Sequence, residues 1–203
     1  LMRENDRFHI ALTKMIDGLS DFFWNAFTAL NVNGISGDYV EFGKLSGTTL
    51  SQAYHHIAAG EDPRHLRTFD SFEGYPDSDD PRDDHPSFKG SGGVTLDDFH
   101  VACERRGVPR DAYTAVAGYY DDTLPPLGAD GPPNDIALAY LDCNLSSRTV
   151  TALEFLAARL KHWIIVDFDD LFCWYDGNVS GERLALAEFE AEHPQGSFHR
   201  FKE

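Results

Sequence analysis

Basic residues are scarce in this sequence. Of its 203 residues, 17 are Lys or Arg against 34 Asp or Glu, a formal charge of −17. Affinity for nucleic acid is built largely from Lys and Arg meeting phosphates, so this excess of acid argues against nucleic acid as a partner and, equally, against an anionic membrane surface. Long apolar runs are missing too. Nothing approaches the roughly 20 apolar residues of a membrane span, and Leu1 to Lys14 lacks the apolar stretch of a signal peptide. Cysteine is rare: Cys103, Cys143 and Cys173 are too far apart for a zinc-type pair or a small disulfide framework. A reducing, cytoplasmic setting is therefore expected. What remains is of ordinary globular usage, 42% hydrophobic and 25% charged. Residues 1–203 read as one domain, long enough to bury roughly 70% of its unfolded surface.

Apolar periodicity organises the chain. Phe8, Ala11, Leu12, Met15, Ile16 and Leu19 follow a helical rhythm, so residues 1–37 read as an amino-terminal helical segment. Its aromatic second half, Phe22 to Phe27, needs something to dock on, and a second copy of the chain is one such partner, giving a homodimer. Short strands are expected at Asp38–Phe42, His65–Phe69, Tyr113–Ala117, Ile136–Leu141 and Trp163–Val166, with a last one at Phe198–Phe201. Helices are expected between them, through Leu50 to Ile57, Leu96 to Gly107, Thr149 to Leu160 and Gly181 to His193. Gly118–Pro126 reads as loop. Residues 75–95, dense in Asp, Pro, Ser and Gly, read as a mobile lid. Strands alternating with helices predict an α/β fold, a doubly wound, mostly parallel sheet with helices on both faces.

Ligands of open α/β sheets sit beyond the carboxyl ends of the strands. Four of the expected strands end at or lead into acid, at Asp70, Asp121/Asp122, Asp142 and Asp167, and Glu41 lies within the first. Such a ring of acids favours metal, positive charge or hydroxyl donors. Glu41-Phe-Gly43-x-x-x-Gly47 joins a strand to a helix but lacks the middle glycine of a dinucleotide loop. Glu41 would also repel a pyrophosphate seated at the helix N-terminus. S-adenosylmethionine suits the place better: its ammonium and sulfonium are cationic, and its carboxylate can take the N–H groups beside Thr48 and Thr49. Asp70 is placed for two ribose hydroxyls. A nicotinamide-dependent oxidoreductase on the same sheet is the alternative, and a non-catalytic cofactor-binding relative is another.

The segments Asp38-Tyr-Val-Glu-Phe-Gly-Lys-Leu-Ser-Gly-Thr-Thr, Phe69-Asp-Ser-Phe-Glu-Gly-Tyr-Pro, Gly118-Tyr-Tyr-Asp-Asp-Thr-Leu-Pro and Leu141-Asp-Cys-Asn-Leu resemble the macrocin-type O-methyltransferases. So do Ile164-Ile-Val-Asp and Ala185-Leu-Ala-Glu-Phe-Glu-Ala-Glu-His. The resemblance runs in order from Asp38 to His193. It implies a class I, Rossmann-like methyltransferase using S-adenosylmethionine on a hydroxylated small molecule, a natural-product sugar being the family's type of acceptor. It further implies that Glu41, Gly43 and Gly47 hold the methionine part, Asp70 and Ser71 the ribose, and Gly118, Tyr120 and Asp121 the adenine. Asp142 and Asp167 would be ligands of a divalent cation, usually Mg²⁺, with Asp142 also the candidate catalytic base. Two departures stand out. The family's Asp-Gly-Asp is here Asp142-Cys143-Asn144. Its paired acids after the fifth strand are interrupted by Phe168, so Asp169 is the candidate replacement ligand. Phe172, Trp174 and Tyr175 lie in a stretch that exceeds the family pattern. A fuller closing hairpin is expected of the family, so the last strand pair here is shortened. No spacing singles out a base among His85 and His100. His55 and His56 are expected to face away from the strand ends.

Overall fold

The computed structural model describes residues 4–43, 46–60, 63–77, 79–83, 93–128, 130–173 and 179–201, with side chains from Gly18 onward. In chain order the elements are α1 (Glu4–Val32), β1 (Asp38–Phe42), α2 (Thr48–Ala59), β2 (Leu66–Asp70), α3 (Leu96–Arg105), β3 (Tyr113–Ala117), α4 (Tyr120–Thr123), β4 (Ile136–Leu141), α5 (Ser146–Ala157), β5 (Ile165–Phe168) and α6 (Gly181–Glu192). The five strands form one sheet in the order β3-β2-β1-β4-β5. Every pairing is parallel. Strand order reverses between β1 and β4, and the crevice beyond that point is where such sheets receive ligands.

The period of two along each strand sorts side chains into two cores. On one face Tyr39, Leu66, Tyr113, Leu138 and Ile165 pack under α1, α2 and α3 through Phe23, Phe27, Leu50, Ala53 and Phe99. On the other, Val40, Phe42, Phe69, Ala139 and Leu141 meet Tyr120, Leu153, Phe155 and Phe189 of α4, α5 and α6. Phe42 is the hub there, 5.1 Å from Phe69 and 5.7 Å from each of Tyr120 and Phe155. The aromatic half of α1 thus docks on its own sheet, while Trp24 stays exposed and lies near His56.

Three expectations are corrected. β5 begins at Ile165 rather than Trp163 and reaches Phe168, because its ladder starts where Leu138 pairs with Ile165; Trp163 lies half exposed outside it. Gly118–Pro126 is not plain loop: Thr123 and Leu124 N–H groups bond the carbonyls of Tyr119 and Tyr120, closing α4, and a 3₁₀ turn follows at Pro125–Leu127. Residues 198–201 form no strand; Phe198 instead rests against Phe189 of α6. Among the described residues no helix is long and apolar enough to cross a membrane.

Part of the segment expected to be a lid is ordered by side-chain chemistry. Leu145 cannot cap α5, so Asp83 of the Pro81–Asp83 turn does: it accepts from the Ser147 N–H at 3.2 Å and hydroxyl at 2.6 Å. Arg82 ties the same turn to Glu188 of α6 at 2.6 Å. Residues 84–92, with His85, lie outside the described residues.

Candidate active site

A cleft of about 360 Å³ opens beyond the carboxyl ends of β1, β2 and β4. That is within the usual range for a small-molecule site. Gly43, Asp70, Ser71, Tyr120, Asp142 and Asp169, all singled out in the sequence, line it. So do Tyr75, Tyr119, Asn144, Arg148 and Asp170, none of which the sequence marked as a site residue.

Gly43 is where β1 passes beside the end of β4. Its φ of 77° suits glycine, and a Cβ there would collide with the Asp142 carbonyl. Gly47, φ 68°, starts α2 and leaves no room for a Cβ beside Cys103 and Phe99. The Glu41 carboxylate is fully buried and accepts hydrogen bonds from Tyr39 at 2.9 Å and Thr49 at 2.8 Å. Glu41, Gly47 and Thr49 are thus behind the cleft rather than among its lining residues. Asp70 accepts from the Phe72 N–H at 2.6 Å, and the Ser71 hydroxyl donates to the Gly74 carbonyl, which shapes the turn after β2. Gly118 donates its N–H to the Asp70 carbonyl. Asp121 is not among the lining residues but holds Arg148 at 2.6 Å. Arg148 is the one Lys or Arg among the residues lining the cleft.

The acids converge at one place. Oxygen atoms of Asp142, Asp169 and Asp170 all lie within 4.8 Å of one another. Asp167 does not join them: it sits inside β5 opposite Tyr140, one pleat back on the same face as Asp169. The paired acids that the resemblance implies are therefore brought to the cleft as Asp169 and Asp170, just after a strand that ends later than the sequence suggests. Phe168 between them and Asp167 packs on the opposite face.

Each of the paired acids is oriented from behind. The Tyr140 hydroxyl donates to Asp169, and the Asn144 amide donates to Asp170. Glu182, fully buried in the first turn of α6, accepts from the N–H of Asp170 at 2.9 Å and of Cys143 at 3.2 Å. One carboxylate thus staples the loop after β4 to the loop after β5. Burial, then Asp170, pushes the Glu182 carboxyl up to about 8. Burial, then Asp169 and Asp170, pushes Asp142 up to about 8 as well. Burial and Asp169 push Asp167 up to about 6. Such crowding is what a bound cation relieves, and three carboxylates with room for water and hydroxyl ligands are a donor set for a hard divalent ion.

The histidines stand apart. His100 bonds the Tyr113 hydroxyl at 2.7 Å on the β3 edge and does not line the cleft. His55 meets the Arg106 carbonyl and His56 the Ser20 hydroxyl, both in helix packing. Phe172 is exposed, with the Arg183 guanidinium 5.8 Å from its ring. Trp174 and Tyr175 lie outside the described residues.

Solved structures share this fold. The O-methyltransferase NovP has a TM-score of 0.74 and 19% identity, covering 91% of this chain and 74% of that one. The calicheamicin methyltransferase CalS11 has a TM-score of 0.66 and 23% identity, covering 96% and 76%. The S-adenosylhomocysteine-bound methyltransferase PaMTH1 of Podospora anserina has 0.53 and 14%, covering 97% and 90%. At these identities the likeness is one of fold, the Rossmann-like sheet of class I methyltransferases. No curated protein matches the chain significantly in sequence. The family model for macrocin-O-methyltransferase (TylF) matches residues 4–194, and the chain, an O-methyltransferase, belongs to that family.

Proposed function

We propose that this enzyme transfers the methyl group of S-adenosylmethionine to a hydroxyl of a small molecule, a natural-product sugar, with a divalent cation held by Asp142, Asp169 and Asp170. The convergence of those three carboxylates on a cleft that also contains Gly43 and Asp70 carries the reading.

The residues fit both groups. Gly43, at the end of β1, lines the cleft, so a ligand can lie against it there. Asp70, at the end of β2, offers carboxylate oxygen to a ribose diol, and Tyr119 and Tyr120 offer aromatic surface to a base. The acid cluster offers only oxygen, as Mg²⁺ requires. When bound, the cofactor supplies an electrophilic methyl on a sulfonium, and the cation supplies charge that orients neighbouring hydroxyls and lowers their pKa.

The chain's own task is alignment. Holding an acceptor oxygen in line with the methyl contributes roughly 7–11 kcal/mol when orientation is good. Asp142 both lines the cleft and belongs to the acid cluster, which supports assigning its carboxylate to take the proton of the attacking hydroxyl. The four acids of the lining favour a neutral or cationic acceptor over an anionic one. CalS11 is a TDP-rhamnose 3′-O-methyltransferase; of such an acceptor it is the sugar hydroxyl with a neighbouring hydroxyl, not the diphosphate, that the cluster here suits. Calorimetry with S-adenosylhomocysteine, with and without Mg²⁺, tests the reading, followed by turnover on glycoside acceptors. Binding of NAD instead, or indifference to S-adenosylmethionine and its product, would overturn it.

A further inference from the structure

We propose that Asn144 is a positioning residue that couples Tyr75, a wall of the cleft, to the cation-binding orientation of Asp170, so that Tyr75 docking and cation binding strengthen each other. The inference rests on the reading of the acid cluster given above and deepens it.

The Asn144 amide is used at both ends. Its oxygen accepts from the Tyr75 hydroxyl at 3.0 Å, across 69 positions of sequence, and its nitrogen donates to Asp170 Oδ2. An amide carries a donor and an acceptor on one rigid plane. An ionised carboxylate at this position could still accept from Tyr75. It could not donate to Asp170, and it would add another negative charge beside three others. An aliphatic side chain would serve neither partner.

The backbone beneath the amide is held. Asn144 has φ 58°, a left-handed conformation that asparagine tolerates better than most residues. The Leu145 N–H bonds the Cys143 carbonyl at 2.6 Å, and the Cys143 N–H bonds Glu182. Gly181 of α6 lies so close that a Cβ there would collide with the Asn144 carbonyl. The backbone that carries the amide therefore cannot drift to follow either partner. Tyr75 fixes the amide's rotation and, through it, one rotamer of Asp170. Tyr75 is placed in turn by its own loop, where Gly93 packs directly on the Gly74 backbone. Groups that orient metal ligands from behind set affinity, and their loss costs roughly 10–100-fold. By linkage, a cation that favours this Asp170 rotamer must favour the Tyr75 contact equally.

The test is a double-mutant cycle read as cation affinity. Mn²⁺ binding by electron paramagnetic resonance and Mg²⁺ binding by calorimetry are measured on wild type, Tyr75→Phe, Asn144→Ala and the double variant, with thermal melts to show that each is folded. Asn144→Ala is expected to weaken cation binding about 10–100-fold. Tyr75→Phe removes one hydroxyl and is expected to weaken it about 3–10-fold, a second step removed from the ion. The double variant should be no worse than Asn144→Ala alone, since Tyr75 acts through the amide. A merely structural role would lower the melting temperature without moving the cation Kd. Unchanged affinity in Tyr75→Phe, or additive losses in the double variant, would overturn this proposal alone. Absence of cation binding by wild type would overturn the reading of the acid cluster and this proposal with it.

Discussion

Replacing Asp142 with asparagine should flatten the pH dependence of stability in the cation-free enzyme. Burial, then the charges of Asp169, Asp170, Glu182 and Glu41, moves the Asp142 carboxyl from its ordinary 3.8 up to about 8. Between those values the folded protein holds a proton that the unfolded chain has released. Stability therefore falls as pH rises: the contribution is complete below the unfolded value and is lost as pH climbs through about 8. One such proton gives a slope of roughly 1.4 kcal/mol per pH unit, or about 3 kcal/mol from about pH 5 to about pH 7. For a chain of this size 1 kcal/mol moves the melting temperature by about 2–4 °C, so wild type should lose about 6–12 °C more than Asp142→Asn over that range. Glu182 and Asp167 slope the same way and are present in both proteins, so the difference reports Asp142 together with its coupling to Glu182. The assay is differential scanning calorimetry in EDTA across this interval, repeated with saturating Mg²⁺. An ion held as proposed would bind the ionised carboxylate, so it should stabilise wild type more at the higher pH and reduce the slope. Parallel melting curves for the two proteins in EDTA would refute the reasoning.

Asp169→Asn should weaken Mg²⁺ by more than about 10-fold, whereas Asp167→Asn, one pleat back, should change it by less than about 3-fold, both by calorimetry. Gly43→Ala should cost about 2 kcal/mol or more and abolish S-adenosylhomocysteine binding, since its Cβ meets the Asp142 carbonyl at a positive φ; thermal melts and calorimetry read both. Asp83→Ala should cost about 1 kcal/mol of unfolding free energy in urea by uncapping α5, and Asp83→Asn should recover most of it.

The sheet was largely legible because each strand is an apolar run closed by glycine or acid. Asp38–Phe42, Tyr113–Ala117 and Ile136–Leu141 lie where the pattern places them. β5 was not, because Trp163 and Ile164 are as apolar as Ile165 and Val166. Only pairing with β4 decides where the ladder starts, and that pairing is tertiary. The same two-residue displacement carried the acids with it, so alternation along the strand, rather than proximity to its expected end, separates Asp167 from Asp169. Asn144 read as a lost acid when compared with the family; its partners, Tyr75 and Asp170, lie 69 and 26 positions away and leave no local signal. Glu182 was likewise hidden, since a glutamate in the first turn of a helix looks like ordinary favourable placement by the dipole. α4 was concealed by its shortness: four residues cannot show a period.

Glu182 has a consequence for the order in which the enzyme becomes competent. Its two backbone partners emerge from the ribosome 39 and 12 positions earlier, so both turns are complete in sequence before the clasp that joins them exists. A nascent chain arrested ahead of α6 would have its parallel ladder and both aromatic cores begun, yet the corner that carries its three clustered aspartates would still be unlatched.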